Sequence, residues 1–174
     1  MSRAIGQPVL ARANLPSRIL EPIRLGKGTD FDESWLQQLL FDHPEALPIA
    51  DIEPGFSPVV AVAREVPCGH GFIDNLYLTG NGEIVLAEAK LWTNPQARRE
   101  VVAQTLDYVA ALSRIGYEAL EAAVLQSWTA SPRPDTLYGF VSALPDALEE
   151  RRFVDAVTAN LRRGRILALA VGDG

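Results

Sequence analysis

Residues 71–91, GFIDNLYLTGNGEIVLAEAKL, hold two stretches that alternate with the period of a β-strand, joined by a turn too short to leave their pairing open. In the downstream stretch, 83–91, Ile84, Leu86, Glu88 and Lys90 share one face, and Val85, Ala87, Ala89 and Leu91 share the other. Two charges therefore end an otherwise apolar row. The upstream stretch, 72–78, places Phe72, Asp74, Leu76 and Leu78 on one face, and Thr79-Gly80-Asn81-Gly82 supplies the glycine and asparagine of a tight hairpin. Closing that hairpin brings Asp74 opposite the region of Glu88, within a residue or two of register.

Carboxylates are hard oxygen ligands, and two of them converging at a sheet end suit Mg2+ or Mn2+, which keep waters and take phosphate oxygens. Lys90, one side-chain period beyond Glu88, reaches the same water or phosphate. Taken alone, a Glu and a Lys two apart on a strand equally describe a solvated face, and Asp74 beside Asn75 a polar edge. The following helix shifts the balance toward a site.

Asn94 is a good N-cap and Pro95 fits the first helical position, so the spacing predicts a helix from there to about Ile115, stopped by Gly116. Ala97, Val101, Gln104, Tyr108 and Ala111 form one stripe at the helical period, which puts Gln104 inside an apolar face. A buried glutamine needs partners, and a helix packed on the hairpin aims it at the carboxylate end of the strands. Arg98 and Arg99, near the helix start, are either solvated charges or phosphate contacts. With Asp74, Glu88, Lys90 and Gln104 on successive elements, a polar site is the stronger account of the group.

In this order, Asp74, then Glu88-Ala89-Lys90, then Gln104-Thr105-Leu106-Asp107-Tyr108 on a helix, the chain resembles the PD-(D/E)xK nuclease superfamily. The Q-x-x-x-Y helix is similar to those of its DNA-repair-like and uncharacterised branches, and the resemblance covers residues 30–110. Ile73 stands where the motif's name has proline. The resemblance implies an α/β, restriction-endonuclease-like core in which a mixed central β-sheet is flanked by helices in the order αβββαβ. Residues 32–40 would be the first helix, with Glu33 as its acidic residue. It further implies that Asp74, Glu88 and the Ala89 carbonyl ligate Mg2+ or Mn2+, with Glu33 acting through a water or a second ion. Lys90 would orient or deprotonate the attacking water, and Gln104 would hold the lysine or the water. The implied reaction is phosphodiester hydrolysis in double-stranded or branched DNA, with a homodimer as the form that cuts two strands.

Composition limits this picture. A chain of 174 residues, 48% hydrophobic, buries one sizeable core, so residues 1–174 are expected to form a single domain. Its 16 basic and 22 acidic residues give a net charge of -6, unlike a dedicated nucleic-acid-binding protein. Local charge matters more for a cleft, and Arg64, Lys90, Arg98, Arg99 and Arg114 are the basic residues expected near it, with Arg64, Arg98 and Arg99 as the nucleic-acid contacts. The N-terminal residues lack an apolar core of signal-peptide length and no stretch reaches the ~20 apolar residues of a membrane span, so a cytoplasmic protein is expected. Cys68, the single cysteine, lies with His70 in Pro67-Cys68-Gly69-His70-Gly71, which reads as a turn between strands rather than a zinc site.

The remaining segments read as scaffold. A short strand is expected at 18–25, and Asp30 or Asp32 caps a helix whose apolar face is Trp35, Leu36, Leu39 and Leu40 and which stops before Pro44. Residues 59–66 form the first core strand, where Glu65 is either an edge charge or a further acidic neighbour of the site. Residues 117–128 suggest a helix, 137–141 a strand or extended linker, and 145–163 a helix carrying Leu148, Phe153, Val157 and Leu161 whose terminal Arg162 and Arg163 complement the helix dipole. The apolar run 165–171 reads as an interior strand buried on both faces. Because the chain ends three residues later, it is expected to be the N-terminal domain of a longer protein. Three functions compete: an active nuclease, a nucleic-acid-binding or regulatory module of the same fold with little activity, and a structural domain with a buried ion-pair cluster. The last is weakest, because two carboxylates against one lysine leave an uncompensated charge.

Overall fold

A computed structural model describes residues 8–21, 23, 25, 26, 30–91, 95–128 and 134–172. The first elements among the described residues form a two-stranded hairpin, β1 (Val9–Arg12) and β2 (Leu15–Ile19). The strand expected at 18–25 is thus displaced toward the N-terminus, because Asn14 takes a left-handed φ of 66° and reverses the chain there. Helix α1 (Glu33–Asp42) follows, then the single-turn α2 (Ile49–Ile52). Asp32, not Asp30, caps α1: its carboxylate accepts the Trp35 N–H at 3.0 Å.

Next come β3 (Val59–Cys68), β4 (Gly71–Thr79) and β5 (Ile84–Lys90), an antiparallel meander. Among the described residues, four helices intervene before the last strand: α3 (Pro95–Leu112), α4 (Tyr117–Ser127), α5 (Leu137–Val141) and α6 (Glu150–Arg163). β6 (Ile166–Gly172) then runs parallel to β5, giving a four-stranded mixed sheet in the order β3-β4-β5-β6. The molecule is mixed α/β, with helices on both faces of this sheet.

Turn chemistry sets the β4–β5 register. Thr79 Oγ1 accepts the Asn81 and Glu83 N–H groups at 3.3 and 3.0 Å, and the Thr79 N–H donates to the Glu83 carbonyl at 3.1 Å. Gly82 has φ +81°, and a Cβ there would lie 3.0 Å from Ala156 Cβ, so both backbone and space require glycine. The closed turn pairs Leu78 with Ile84 and, three rungs on, Asn75 with Ala87.

Each sheet face has its own core. Leu76, Leu78, Ile84 and Leu86 pack with Tyr108 and Leu112 of α3, Leu120 and Val124 of α4, Val141 of α5 and Phe153, Val157 and Leu161 of α6. Tyr77, Val85, Ala87 and Ala89 pack on the other side with Leu36 and Leu40 of α1, Leu47, Ile49 and Phe56. Burying each large aliphatic side chain contributes ~1.5–3 kcal/mol, so these two layers hold the sheet rigid beneath its polar end.

Four expectations need correction. β6 is an edge strand, half-exposed along most of its length, because its apolar residues meet helices on the sheet faces while its outer edge pairs with no described strand. Residues 137–141 are helical rather than extended: Thr136 caps them by accepting the Gly139 N–H at 3.2 Å. Gly116 serves as N-cap of α4, not as the stop of α3, which ends at Leu112. Finally, α6 starts at Glu150, because Asp146 has a left-handed φ of 62° and the Leu148 N–H is drawn to the Gly80 carbonyl at 3.0 Å. Its end is as expected, with Arg162 and Arg163 in the last turn and Gly164 left-handed at the C-cap. No helix among the described residues is long and apolar enough to cross a membrane.

Candidate active site

The register that pairs Asn75 with Ala87 carries Asp74 to a position opposite Glu88. The two side chains reach across to each other's strand. Glu88 Oε1 accepts the Asp74 N–H at 3.2 Å, and Asp74 Oδ2 accepts the Ala89 N–H at 2.8 Å. Glu88 is only 2% exposed and Asp74 is half-buried.

Burial dominates the electrostatics of this pair. It pushes the Asp74 carboxyl up to about 6, against the Ala89 N–H bond, with Glu65 and Glu33 adding repulsion. It pushes Glu88 up to about 8, helped by the nearby Asp74 charge and by Glu65, while Lys90 opposes the shift weakly. Glu65 is therefore an acidic neighbour of the site rather than a mere edge charge. The pairing of Arg64 with Asn75 and Val66 with Ile73 sets it opposite Asp74, at a left-handed φ of 50°.

Lys90, at the end of β5, is held by α1. Its Nζ lies 3.2 and 3.3 Å from the two Glu33 carboxylate oxygens, and Glu33 Oε1 also accepts the Leu91 N–H at 3.1 Å. Glu33 thus ties the start of α1 to the exit of β5. From the next turn of α1, the Gln37 side chain bonds Asp74, and its Oε1 accepts Arg64 Nη2 at 3.1 Å. Asn75 Nδ2 donates to the Gln37 carbonyl at 3.0 Å. Gln37 therefore sits between Arg64 and the carboxylate pair, a position that no local sequence signal marks, because it depends on how α1 docks across β3 and β4.

Gln104 departs from expectation. The interior stripe of α3 is Val101, Thr105, Tyr108 and Leu112, and Gln104 lies exposed beside it. Its Nε2 donates to the Tyr108 hydroxyl at 2.7 Å instead of meeting Lys90. Tyr108 is 5% exposed, and its ionisation is pushed up chiefly by burial. The ring lies close over β4: a Cβ on Gly71 would stand 2.5 Å from Tyr108 Oη. Gln104 thus braces the tyrosine that covers the start of β4.

The basic residues scatter. Arg64 meets Gln37 and Gln38, Arg99 is exposed on α3, and Arg114 is exposed beyond its end. Asn94 and the side chains of Ala97 and Arg98 lie outside the described residues. Cys68 ends β3 ahead of a Gly69-His70 turn; its thiol donates to the Tyr108 carbonyl at 3.7 Å and is pushed up by burial and by Glu88. The structure therefore brings together Asp74, Glu88, Lys90, Glu33 and the Ala89 backbone at one sheet end, with Glu65 and Gln37 beside them. Gln104 lies one tyrosine away. Compared with family models, with curated proteins and with solved structures, the chain has no match in any of the three.

Proposed function

We propose that this chain has a restriction-endonuclease-like core and hydrolyses phosphodiester bonds in DNA with the help of Mg2+ or Mn2+. The observation that carries the reading is the cross-strand Asp74–Glu88 pair with Lys90 beside it on a rigid sheet end. The element order supports it: α1, then three antiparallel strands, then α3, and finally β6 parallel to β5.

The donor set fits a hard divalent cation. Two carboxyls that each bond the other's strand, with Glu65 adjacent, are pushed well above their usual range, and a cation at that end would offset the repulsion. Asp74, Glu88 and the Ala89 carbonyl would hold it, with Glu33 acting through a water since its own oxygens already serve Lys90 and Leu91. Bound there, the ion would supply Lewis acidity at the phosphoryl oxygen and make a water more acidic. Lys90 positions the attacking water and offsets the negative charge that grows on the phosphoryl oxygens. Glu33 keeps the lysine aimed. Gln104 holds the Tyr108 hydroxyl, and Tyr108 covers the start of β4.

The test is a cleavage assay on linear, branched and single-stranded DNA with Mn2+ or Mg2+ titrated into wild type, Asp74→Ala and Lys90→Ala. Cutting by wild type and by neither variant supports the reading. The net charge of -6 favours one alternative, a nucleic-acid-binding or regulatory module of the same fold with little activity. Metal binding without cutting on all three substrates would favour that module.

A further inference from the structure

Charge is divided unevenly along this chain. Residues 1–28 hold five basic residues, Arg3, Arg12, Arg18, Arg24 and Lys27, against the single acid Glu21, a net charge of +4 in a chain whose total is -6. Residues 29–174 therefore carry -10. A polyanion is repelled by the acidic part and attracted by the basic one.

The described part of the basic stretch is the β1–β2 hairpin, and residues 8–21 are all exposed. Val9 pairs with Ile19, Leu10 with Arg18 and Arg12 with Leu15, so two of the three rungs set an arginine against a leucine. Val9, Leu15 and Ile19 are each more than half exposed. A two-stranded ribbon is marginal by itself in water, and exposed aliphatic side chains along it favour a partner that covers them.

Width and charge select that partner. The major groove of B-DNA, ~12 Å across, admits a two-stranded β-ribbon, its phosphate walls attract arginine, and thymine methyl groups give aliphatic side chains a contact. A second copy of the chain also offers an acidic surface, but duplex DNA carries one charge per ~1.7 Å of its axis, far denser than -10 spread over residues 29–174.

Position links the ribbon to the carboxylates. Ile19 and Leu25 are six residues apart, at most about 22 Å of extended chain. Leu25 packs in the core layer of α1, and the Gly26 N–H donates to the Phe31 carbonyl at 2.9 Å. The hairpin is thus rooted beside the helix whose first residue, Glu33, holds Lys90. The arginines of α6 lie elsewhere. Both flanks of that helix meet the β4–β5 turn, through Leu148 N–H on the Gly80 carbonyl and Asn160 Nδ2 on the Gly82 carbonyl, at the sheet end away from Lys90.

We propose, resting on the nuclease reading for the identity of the substrate, that the β1–β2 hairpin is an arm that binds duplex DNA in its major groove, with Arg12 and Arg18 on the phosphates. The arm gives an otherwise acidic chain its hold on DNA.

The test uses the full chain in EDTA, so that binding is read without cutting. Fluorescence anisotropy follows a labelled duplex across a salt series, with wild type, Arg12→Ala/Arg18→Ala and, for comparison, Arg162→Ala/Arg163→Ala. Neutralising Z phosphates gives log K a slope of about -0.9Z against log salt, so losing both arm arginines should weaken binding and make that slope shallower by about 2. The α6 pair should change neither. In wild type the duplex should slow hydrogen exchange at the amides of residues 9–19, a readout that needs no variant. Unchanged affinity and slope in the arm variant overturn the proposal, and so does an equal loss from the α6 pair, exchange at 9–19 that the duplex leaves unaltered, or a duplex that does not bind. An arm variant that turns a wild-type dimer into a monomer in light scattering, with duplex binding unchanged, assigns the arm to a second copy instead. Duplex binding through the arm without cutting in Mn2+ would remove the nuclease reading and keep the arm. Cutting by the arm variant at wild-type rate and affinity would remove the arm alone.

Discussion

Asp74 and Glu88 hold each other's strand: the Glu88 carboxylate accepts the Asp74 N–H at 3.2 Å, and the Asp74 carboxylate accepts the Ala89 N–H at 2.8 Å. Both bonds lie just past the last rung of the β4–β5 ladder, where backbone pairing stops at Asn75 and Ala87. The side chains extend the sheet by one step, which fixes their direction and brings two buried acids together. Structure and chemical readiness arise here from the same pair of bonds.

A pH dependence of stability follows. Both carboxyls bind their proton more tightly folded, at about 6 and about 8, than at their ordinary values of 3.8 and 4.5. Between those limits the folded state carries more protons than the unfolded chain, so stability falls as pH rises. In EDTA the melting temperature should be lower at pH 8 than at pH 5. Glu88→Gln, whose Oε1 still accepts the Asp74 N–H, should flatten that slope, and a wild-type melting temperature that rises over the same range would refute the assignment.

Divalent metal should reverse this loss. Oxygen donors must be deprotonated to ligate, so Mn2+ should bind more weakly at pH 6 than at pH 8 and should release protons on binding. Calorimetry in two buffers of different ionisation enthalpy measures that release. At a concentration a hundred times Kd, Mn2+ should stabilise the fold by ~2.7 kcal/mol, and Asp74→Ala should abolish the gain.

The legible parts of this site are those controlled by local chemistry. Thr79-Gly80-Asn81-Gly82 determines the hairpin register by itself, so Asp74 could be set against Glu88 from sequence. Periodicity puts Gln104 on the wrong stripe because two stripes on α3 share Val101 and Tyr108 and differ by one residue in each remaining row. Packing of Thr105 and Leu112 against the sheet decides between them, and periodicity alone does not contain that contact. Likewise Gln37, Arg64 and Trp128 meet only once α1 and α4 have docked on β3. In β6, the apolar run reflects side chains partly covered on each sheet face but carries no signal about its outer edge, since edge pairing is a property of the whole sheet.

Lys90 should matter for turnover far more than for folding. Its ion pair with Glu33 joins side chains 36% and 37% exposed, so Lys90→Met should cost less than ~1 kcal/mol in denaturant unfolding. Cleavage should fall by roughly 10²–10³, the usual cost of losing one group that stabilises charge in the transition state. Glu33→Gln keeps an acceptor for the Leu91 N–H but loses the charge that aims Lys90. Its expected loss is smaller, about tenfold, and an unchanged rate would deny Glu33 a positioning role.

Gly71 and Tyr108 should be coupled. A methyl group at Gly71 would crowd the Tyr108 hydroxyl at 2.5 Å, and that ring is buried, so Gly71→Ala should destabilise by ~1–3 kcal/mol. Tyr108→Phe removes the crowding atom. A double-mutant cycle by urea denaturation should therefore show the pair losing less than the sum of the single changes. Strict additivity would mean that Gly71 is required for its backbone alone.

Glu65 presents the sharpest conflict between stability and function. A glutamate at φ 50° strains the chain by an amount of the order of 1 kcal/mol or more relative to glycine, and its charge also raises the proton affinity of Asp74 and Glu88. Glycine at this position relieves both costs at once. Glu65→Gly should accordingly raise the melting temperature of the metal-free protein, and by more at pH 8 than at pH 5, where the neighbouring acids hold protons and feel less repulsion. If the third carboxylate serves the cation, the same variant should bind Mn2+ more weakly. Stabilisation of equal size at both pH values would leave the backbone as the whole cause, and unchanged Mn2+ affinity would place Glu65 outside the metal's reach.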